Sequence, residues 1–367
     1  MSKNDFKFDF AVIGLGLTGQ SVVRFLISKG FCLVVMDTRD NPPELRGFSE
    51  SSVTLVTGGI DCASLEVSKK IVISPGLSKA DIGFDIFTKY GSKVVGDIEL
   101  FSQFVKAPVI AITGTNGKTT VTTLVGLMLE SEGFSILKGG NIGQPALDLL
   151  DFPSPDFYVL ELSSFQLEAT SSLKPSLAAI VNFGEDHMDR YESLEGYLNA
   201  KLRILRNAPV AVLSRDDSFL KNVNFKGKRI SFGLNDGQPD QYGVIVEKGV
   251  KYLSKGSLKY AEIKSLRISG EHNVNNALAA LAICGFFMNI SSRMIKALLS
   301  FGGLPHRSEV LGTINGITFV NDSKATNLDA AKAGIKSCMS DVGGVVIIGG
   351  LFKGGSTKEF VDTIKEA

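Results

Sequence analysis

Short apolar runs alternate with helix-like stretches along the first hundred residues of the chain. The runs are bounded by glycine, proline and polar residues, and they read DFAVIG, CLVVMD, VTLVTG, KIVISPG and KVVGDIELF. Strands that are apolar throughout, separated by segments with helical spacing, are typical of a parallel sheet covered by helices. The pattern therefore predicts an N-terminal α/β unit, which we assign to residues 1–106.

The alternation resumes near residue 107 and then changes character. VIAIT, DFYVLELSS and LAAIVNFG are further buried strands that end in polar loops. Between about residues 230 and 265 the runs become short and contain glycine and lysine, which predicts antiparallel hairpins. NVNNALAALAICGFF returns to a helix, and GGLPHRSEV has the composition of a hinge. We therefore expect a central α/β unit at residues 107–301 with a small antiparallel β insertion.

The last part of the chain begins a third α/β pattern. ITFVNDSKATN and VGGVVIIGG each read as a strand that ends in a polar or glycine-rich loop. We assign this unit to residues 302–367, a length that is short for a domain of this type. The sequence thus predicts three α/β domains, of which the third is incomplete.

Composition narrows the class of protein without identifying a function. Hydrophobic residues make up 44% of the 367 residues and charged residues 21%, with a net charge of +1. A chain so close to neutral has no overall field that favours nucleic acid or an anionic membrane. We expect no signal peptide and no membrane span, because no apolar run is long enough. The four cysteines lack C-x-x-C spacing, so reduced thiols in the cytoplasm and no zinc site are expected.

The first strand runs into a glycine-rich loop. Gly14, Gly16 and Gly19 follow the pattern G-x-G-x-x-G, a helix-like run comes next, and Asp37 ends the second strand. This is the pattern of a dinucleotide-binding βαβ unit, so on its own it suggests a nicotinamide-dependent dehydrogenase. No catalytic acid–base pair follows in this unit, however. The loop therefore indicates a nucleotide-binding backbone without indicating which nucleotide it binds.

A second glycine-rich loop carries the strongest chemical signal. The buried strand VIAIT leads into the loop and an apolar helix follows; the loop residues are Gly114, Thr115, Asn116, Gly117, Lys118, Thr119 and Thr120. In such loops backbone amides surround phosphate oxygens, the lysine reaches the β- and γ-phosphates, and the next hydroxyl binds Mg²⁺. Ile112 stands where the strict motif has its first glycine. We predict a nucleoside triphosphate here, the alternative being a structural turn with an exposed lysine.

Two acidic segments follow other buried strands. Glu161 ends the strand in VLELSS, and a carboxylate at that sheet edge either holds Mg²⁺ or caps the next helix. NFGEDHMDR places Glu185, Asp186, His187 and Asp189 in one loop. Acids and a histidine beside a phosphate site indicate metal or phosphate chemistry. A solvated acidic turn is the alternative, and it suits Asp189 better than His187.

A lysine lies within the apolar face of a predicted helix. In SLEGYLNAKLRILRN the apolar face consists of Leu194, Tyr197, Leu198, Leu202 and Leu205, and Lys201 lies near its middle. A lysine on a buried face must extend to solvent, pair with an acid or lose its charge. The helix pattern alone favours extension to solvent. A neutral amine could instead react with CO₂ to give a carbamate, whose oxygens bind metals.

Together these stretches resemble the Mur ligase family, the ATP-dependent enzymes that add amino acids to the peptidoglycan precursor. The matching stretches run in family order and read GLGLTGQS, MDTR, SPG, GTNGKTT, GGNIGQPAL, ELSSFQLE, EDHMDRY, AKLRI, GEHNVNNALAA, GLPHR and NDSKATN. The resemblance is strongest to the members that add D-glutamate to UDP-N-acetylmuramoyl-L-alanine. It implies a Rossmann-like domain, a P-loop ATPase-like domain and a second Rossmann-like domain, in a monomeric cytoplasmic enzyme.

The resemblance also implies roles for individual residues. The UDP part of the substrate is expected at Leu17, Thr18, Asp37, Thr38, Arg39 and Gly76, and its remaining parts at Asn141 and His187. ATP is expected at residues 114–120 and at Asn273, Arg307 and Asp322. Two Mg²⁺ ions are expected at Thr119, Glu161, His187 and a carbamylated Lys201. D-glutamate is expected at Lys324, Thr326 and Lys353. The expected catalytic residues are Lys118, His187, Lys201 and Arg307.

Three other interpretations remain from the sequence. The chain could be a dehydrogenase that uses the first loop, a related amide ligase such as the folate-polyglutamating enzyme, or a nucleotide-binding chain without activity. The third unit stops soon after Lys353, before the later strands of a full domain. We therefore expect this 367-residue form to ligate weakly or not at all, whereas the intact protein is a ligase.

Overall fold

The N-terminal apolar runs form one parallel sheet in the computed structural model, which describes residues 6–43, 53–339, 343–350 and 356–366. The five strands are β1 (Phe8–Ile13), β2 (Leu33–Asp37), β3 (Val53–Thr57), β4 (Ser68–Ile73) and β5 (Val94–Val95). Their order is β3-β2-β1-β4-β5, and all pairs are parallel. The order reverses between β1 and β4, so the loop after β1 lies where such sheets bind ligands.

Five α-helices accompany this sheet in the described residues. They are α1 (Leu17–Ser28), α2 (Cys62–Glu66), α3 (Lys79–Ile82), α4 (Ile86–Tyr90) and α5 (Asp97–Phe104). The strand predicted from KVVGDIELF is mostly wrong, because only its two valines at 94 and 95 are strand and α5 begins at Asp97. Acidic residues in the first turn favour a helix there, and α5 buries Ile98 and Phe101 completely.

The central residues form a nine-stranded sheet. Its strands are β6 (Val109–Thr113), β7 (Ile136–Gly140), β8 (Phe157–Glu161), β9 (Leu177–Ile180), β10 (Val210–Ser214), β11 (Lys228–Phe232), β12 (Tyr242–Glu247), β13 (Val250–Lys255) and β14 (Leu258–Glu262). The order is β14-β13-β12-β11-β10-β9-β6-β8-β7. Strands β12 to β14 pair antiparallel. The predicted hairpins are thus present from residue 242 onward, where they extend one edge of the central sheet.

Helices pack on both faces of the central sheet. They are α6 (Lys118–Glu130), α7 (Ser164–Glu168), α8 (Leu194–Leu202), α9 (Glu271–Phe287) and α10 (Ser292–Ser300). Short 3₁₀ segments across the chain are Gly91–Lys93, Ala146–Asp151, Arg203–Leu205, Leu220–Asn222 and Ile263–Ser265. One face carries α6 and α9. The apolar cluster on the other face is continuous with that of the N-terminal sheet, for example through the Phe101 and Tyr158 rings, 5.3 Å apart.

The C-terminal residues differ from the prediction in one respect. They form an antiparallel hairpin, β15 (Glu309–Ile314) with β16 (Ile317–Asn321), followed by α11 (Leu328–Met339) and α12 (Thr357–Glu366). The strand predicted from VGGVVIIGG is wrong, because residues 343–350 have no strand structure. Val345 and Ile347 are 91% and 95% exposed. An apolar run becomes a buried strand only where neighbouring strands cover it, and no described strand does so here.

Two further observations concern the chain as a whole. No helix among the described residues is both long enough and apolar enough to cross a membrane. All four cysteines fall within the described ranges and carry free thiols. Burial raises the pKa of the Cys284 thiol, which lies in the core beside α6.

A buried acid, Asp97, joins α5 to α7. It is 2% exposed, its Oδ2 accepts a hydrogen bond from Gln166 Nε2 at 2.9 Å, and its Oδ1 has no partner. Burial raises the pKa of Asp97 to about 6, although the hydrogen bond from Gln166 opposes this shift. Because the pKa is higher in the folded state, stability is greatest below the unfolded pKa and is lost as pH rises through about 6.

We therefore expect Asp97→Asn to stabilise the protein at pH 8 by roughly 2–3 kcal/mol, and much less at pH 4. Thermal melts of both proteins at the two pH values test this expectation. Asp151→Asn, an exposed change of the same kind, is the matched control. Equal shifts in Tm at pH 4 and pH 8 would contradict the assignment.

Candidate functional site

The GTNGKTT loop connects β6 to α6 and is held in place by side chains. Asn182 Oδ1 accepts hydrogen bonds from the backbone amides of Thr115 and Asn116, at 3.1 and 2.8 Å. Gly117 has a φ of 75°, and a Cβ there would lie 2.3 Å from an oxygen of Asn276, so only glycine fits. Lys118 begins α6, and its Nζ donates to the carbonyls of residues 114 and 115, both at 2.9 Å. The loop is therefore already folded around its lysine.

Glu161 connects this loop to the end of β8. Its Oε2 accepts a hydrogen bond from Thr119 Oγ1 and its Oε1 one from Asn141 Nδ2, both at 2.8 Å. The carboxylate is 2% exposed. Its alternative role as a helix cap is wrong, because Ser163 caps α7 through a capping box with Gln166. Glu161 is thus available to the phosphate loop.

Lys201 points into the protein. It is 1% exposed, and its Nζ donates a hydrogen bond to the Gly114 carbonyl at 2.7 Å. The expectation that this side chain extends to solvent is wrong, because the sheet and the phosphate loop cover its face of α8. Burial lowers the pKa of Lys201 well below its usual value, and the positive charge of Lys118 lowers it further. Asp186 and Glu161 partly oppose this effect.

Lys118 is half-buried and lies near the same charged groups. Burial lowers its pKa, whereas the charges of Glu161 and Asp186 raise it. Both lysines also donate to the Gly114 carbonyl. Two amines and two carboxylates are therefore gathered around one loop, and the N–H groups of Lys118 are placed to donate hydrogen bonds to a phosphate there.

The acidic loop after β9 presents His187. This residue has a φ of 59°, a left-handed conformation that is uncommon outside glycine and is found disproportionately at functional sites. Its ring lies 4.9 Å from the Phe165 ring and 6.0 Å from the Tyr197 ring, measured between centroids. Its backbone amide donates to Asp186 Oδ1 at 2.9 Å. Glu185 and Asp189 are exposed, as the solvated interpretation of Asp189 requires.

The first glycine loop is organised by Asp37. Its Oδ2 accepts a hydrogen bond from the Leu15 amide at 2.7 Å, and Arg39 donates to both oxygens at 2.8 Å. The hydrogen bonds from Arg39 lower the pKa of Asp37 to about 2. Because Asp37 Oδ2 accepts the hydrogen bond from the Leu15 amide, the carboxylate holds the loop backbone in place. The neighbouring Leu17 side chain is 80% exposed and presents an apolar surface. Thr18 and Thr38 are half-buried, and Gly76 is exposed nearby in sequence after β4.

The glycines of this loop permit a very close approach. A Cβ at Gly19 would lie 1.8 Å from the Gly14 carbonyl oxygen, so the first turn of α1 packs directly against the loop backbone. Gly14 itself has a φ of 94°. A Cβ at Gly16, by contrast, would meet nothing within 4 Å.

A cavity of about 390 Å³ lies beside the phosphate loop, between central and C-terminal residues. Three predicted ATP contacts line it with Asn116 and Gly117, namely Asn273, Arg307 and Asp322. Sequence reasoning missed Asn275, which also lines the cavity and whose buried Oδ1 has no hydrogen-bond partner. A buried acceptor of this kind needs a donor that the described side chains do not supply, such as an ordered water or a bound ligand. GEHNVNNALAA contains three asparagines in one helical turn, and nothing in the pattern distinguishes them.

A tight turn directs Arg307 toward the phosphate loop. His306 and Ser308 on either side have φ values of 64° and 45°. Asp322 Oδ1 accepts a hydrogen bond from the Ser308 amide at 2.8 Å, and Arg307 Nη2 donates to Thr119 Oγ1 at 3.3 Å. Asp322 thus positions the turn as well as lining the cavity.

The residues predicted to bind D-glutamate lie in the following loop or outside the described residues. Lys324 and Thr326 come directly after β16 and are exposed. Lys353 falls in the segment 351–355, which is not among the described residues. No contact in the structure tests this group.

Asn327 is a cross-link that sequence reasoning missed. Its Nδ2 donates to Asn116 Oδ1 at 3.1 Å and to Asp186 Oδ2 at 3.0 Å. Its Oδ1 accepts from the Ala330 amide at 2.9 Å, at the start of α11. One side chain therefore ties the C-terminal residues to both the phosphate loop and the acidic loop. The available signal is the residue type, because asparagine is favoured at helix N-caps and Asn327 directly precedes α11.

The predicted metal ligands meet only in part. Within the described ranges, no group of three or more His, Cys, Asp or Glu side chains is placed to hold a metal ion. The predicted set contains two such residues, Glu161 and His187, beside Thr119 and Lys201, so this finding does not decide it. Thr119 and Glu161 are in direct contact. Their hydroxyl and carboxylate oxygens are donors that suit Mg²⁺.

Both glycine-rich loops lie in segments that match models of known families. A model described as "Mur ligase middle domain" matches residues 112–284, and one described as "Mur ligase MurD-like, N-terminal domain" matches residues 9–96. The chain belongs to the Mur ligase family. This membership confirms the resemblance found in the motifs and decides against a dehydrogenase.

The particular members to which the chain is similar are named UDP-N-acetylmuramoylalanine–D-glutamate ligase. The protein from Nitrosococcus oceani is 42% identical over 94% of this chain and 76% of its own length. One from Escherichia coli is 45% identical over 92% of this chain and 77% of its own length. One from Pseudomonas fluorescens is 42% identical over 96% of this chain and 80% of its own length.

Solved structures agree on the fold. A pseudomurein peptide ligase type C from Methanothermus fervidus has a TM-score of 0.56 at 23% identity, covering 92% of this chain and 78% of that one. A UDP-N-acetylmuramate–alanine ligase from Thermotoga maritima has a TM-score of 0.56 at 20% identity, covering 90% and 77%. These matches confirm the predicted Mur ligase fold class.

Proposed function

We propose that this chain is an ATP-dependent ligase that joins D-glutamate to UDP-N-acetylmuramoyl-L-alanine in peptidoglycan precursor synthesis. The observation that carries the proposal is the gathering of Lys118, Lys201 and Glu161 around the phosphate loop, in a chain 45% identical to a ligase so named. We assign the UDP substrate to residues 1–106, ATP to residues 107–301 and D-glutamate to residues 302–367. The reaction would take place in the cytoplasm, by a monomer.

The chemistry requires activation of a carboxylate, because a carboxylate oxygen is a poor leaving group. The terminal alanine carboxylate attacks the γ-phosphorus of ATP, giving an acyl phosphate and ADP. The amine of D-glutamate then adds to the acyl carbon, and phosphate leaves as the amide forms. Negative charge grows in both steps. Lys118, whose Nζ lies against the loop, and Arg307, which donates to Thr119, are placed to stabilise it.

We infer two Mg²⁺ ions beside this loop. Thr119 and Glu161 would hold one, and His187 with a carbamylated Lys201 would hold the other. The ions would neutralise phosphate charge and polarise the phosphoryl group that is transferred. The lowered pKa of Lys201 favours its neutral amine, the form that reacts with CO₂. Its hydrogen bond to the Gly114 carbonyl keeps that amine beside the loop.

A turnover assay tests the proposal. Phosphate release is measured with UDP-N-acetylmuramoyl-L-alanine, ATP, Mg²⁺ and D-glutamate, and with each of them omitted in turn. Release that requires all four supports the ligase. Calorimetry with ATP and with the UDP substrate separates the alternatives: binding of both without turnover supports a nucleotide-binding chain without activity. Binding of neither, or binding of NADH at millimolar concentration, would contradict the proposal.

Asp37→Ala is expected to raise the KM for the UDP substrate about tenfold or more, because a charged carboxylate that organises the loop is lost. The KM for ATP should change little, since Asp37 lies in the N-terminal sheet, away from the phosphate loop. Steady-state kinetics with each substrate varied in turn measures both values. Asp40→Ala, an exposed change three residues further on, is the control. An effect mainly on ATP would mean that the two nucleotides are assigned to the wrong loops.

A further inference from the structure

We propose that Arg190 is a positioning residue that holds the Ser74–Leu77 turn of the N-terminal sheet against the His187 loop, and so sets the shape of the UDP-substrate site. The inference rests on the proposed function, because it concerns the same substrate. Arg190 Nη1 donates a hydrogen bond to the Pro75 carbonyl oxygen at 2.7 Å. This contact joins two residues that are 115 positions apart in the chain.

The guanidinium of Arg190 makes three contacts at once. Besides the Pro75 carbonyl, it lies 3.9 Å from the centroid of the Phe165 ring. Its Nη2 is 3.5 Å from Glu168 Oε2. The side chain is only 16% exposed, so these contacts are partly shielded from water and from salt. A planar group with several donors can stack and bridge in this way, whereas a lysine ammonium cannot.

On the central side, Arg190 is coupled to the acidic loop. Its backbone amide donates to the His187 carbonyl at 3.0 Å, in the turn that gives His187 its left-handed backbone. Phe165, on which the guanidinium stacks, also contacts the His187 ring, at 4.9 Å between centroids. The position of Arg190 therefore follows the position of His187.

On the N-terminal side, the Pro75 carbonyl belongs to a turn that is coupled to the first glycine loop. The Leu77 amide donates to the Ser74 carbonyl at 3.1 Å, and the Ser74 amide donates to the Ile13 carbonyl at 2.9 Å, where β1 ends. A Cβ at Gly14 would lie 2.9 Å from Leu77. The turn and the glycine loop are thus packed as one unit, and Arg190 contacts that unit from the central residues.

The consequence is a specific division of kinetic effects. Arg190→Ala is expected to raise the KM for UDP-N-acetylmuramoyl-L-alanine about tenfold or more, as the loss of a hydrogen bond from a charged donor implies. The KM for ATP should stay within about twofold, because Arg190 contacts neither the phosphate loop nor its cavity. Arg190→Lys keeps the positive charge but lacks the planar guanidinium. Its KM for the UDP substrate should therefore lie between those of the wild type and Arg190→Ala.

Arg206→Ala is the matched control. Arg190 and Arg206 both line a cavity of about 650 Å³ between the N-terminal and central residues, but Arg206 is exposed. Its removal deletes an equal charge from the same cleft and should leave both KM values unchanged. Hydrogen exchange of residues 74–78 gives a second measurement, which does not depend on turnover: exchange should be faster in Arg190→Ala and unchanged in Arg206→Ala.

Each outcome bears on the inference. In Arg190→Ala, an unchanged KM for the UDP substrate together with unchanged exchange at residues 74–78 would overturn the inference. An equal rise in the KM of both substrates together with a lower Tm would also overturn it. If Arg190→Ala does not fold, the partial effect expected of Arg190→Lys decides. If the wild-type chain fails to bind the UDP substrate in calorimetry, the proposed function fails. The hydrogen-exchange measurement then still tests whether Arg190 holds the turn at residues 74–77.

Discussion

Lys201→Ala is expected to lower kcat by about 10²-fold or more, while the protein still folds. The side chain is 1% exposed and its amine lies beside the phosphate loop, so its removal deletes the group proposed to carry a metal-binding carbamate. The Gly114 carbonyl keeps Lys118 as a donor, which limits the structural damage. Steady-state turnover and a thermal melt measure the two effects separately.

Small carboxylates provide the decisive comparison. The alanine variant leaves a space where the lysine was, and acetate or bicarbonate at high concentration should partly restore activity by supplying the missing oxygens. Lys201→Arg keeps a positive charge but cannot be carbamylated, and it should remain inactive with or without acetate. Lys226→Ala, on the surface, is the control for the loss of a lysine. Wild-type activity in Lys201→Ala would return this residue to a purely structural role.

Glu161→Gln is expected to lower kcat by about 10²-fold, because the charge is lost while the shape is kept. The amide oxygen still accepts one of the two hydrogen bonds that Thr119 and Asn141 now donate to the carboxylate. The remaining loss therefore reports the charge. In addition, the negative charge that raises the pKa values of Lys118 and Lys201 disappears, so both values should fall further.

A Mg²⁺ titration distinguishes a metal ligand from a hydrogen-bonding residue. Glu161→Gln should need a higher Mg²⁺ concentration for half-maximal activity, whereas a role limited to orienting Thr119 predicts no such change. Glu185→Gln removes the same charge from the exposed part of the acidic loop and should behave as wild type. Near-normal kcat with an unchanged Mg²⁺ requirement in Glu161→Gln would exclude it from the metal site.

The sequence predicted most of what depends on local pattern. The strands that precede both glycine loops were recognisable because buried parallel strands are apolar throughout and their loops contain glycine at fixed spacing. Glu161 was placed at the correct sheet edge for the same reason, since a strand that ends in an acid puts that acid beside the neighbouring loops. The phosphate loop and Glu161 consequently lie in contact, as the pattern predicted. Arg307, which donates to Thr119, was implied only by the family resemblance.

The sequence could not predict which partner a side chain meets across the fold. The direction of Lys201 depends on the loop that covers α8, 87 positions earlier in the chain. The bridges made by Asn327 and Arg190 span 211 and 115 positions. Helical periodicity assigns a residue to a face and says nothing about what lies opposite. The strand prediction for residues 343–350 was wrong for a related reason, because a strand needs neighbouring strands that its own sequence does not specify.

The two glycines at the start of α1 carry different information about evolution. Packing alone forbids any side chain at Gly19, so this position should be glycine in every relative with the same loop, whatever that relative binds. Gly16 has ordinary extended backbone, with φ at −69°, and open space around it. Nothing in the described protein requires glycine at that position. If relatives nevertheless keep it, the constraint comes from the bound molecule, and variation at Gly16 across the family would trace changes in what the loop holds.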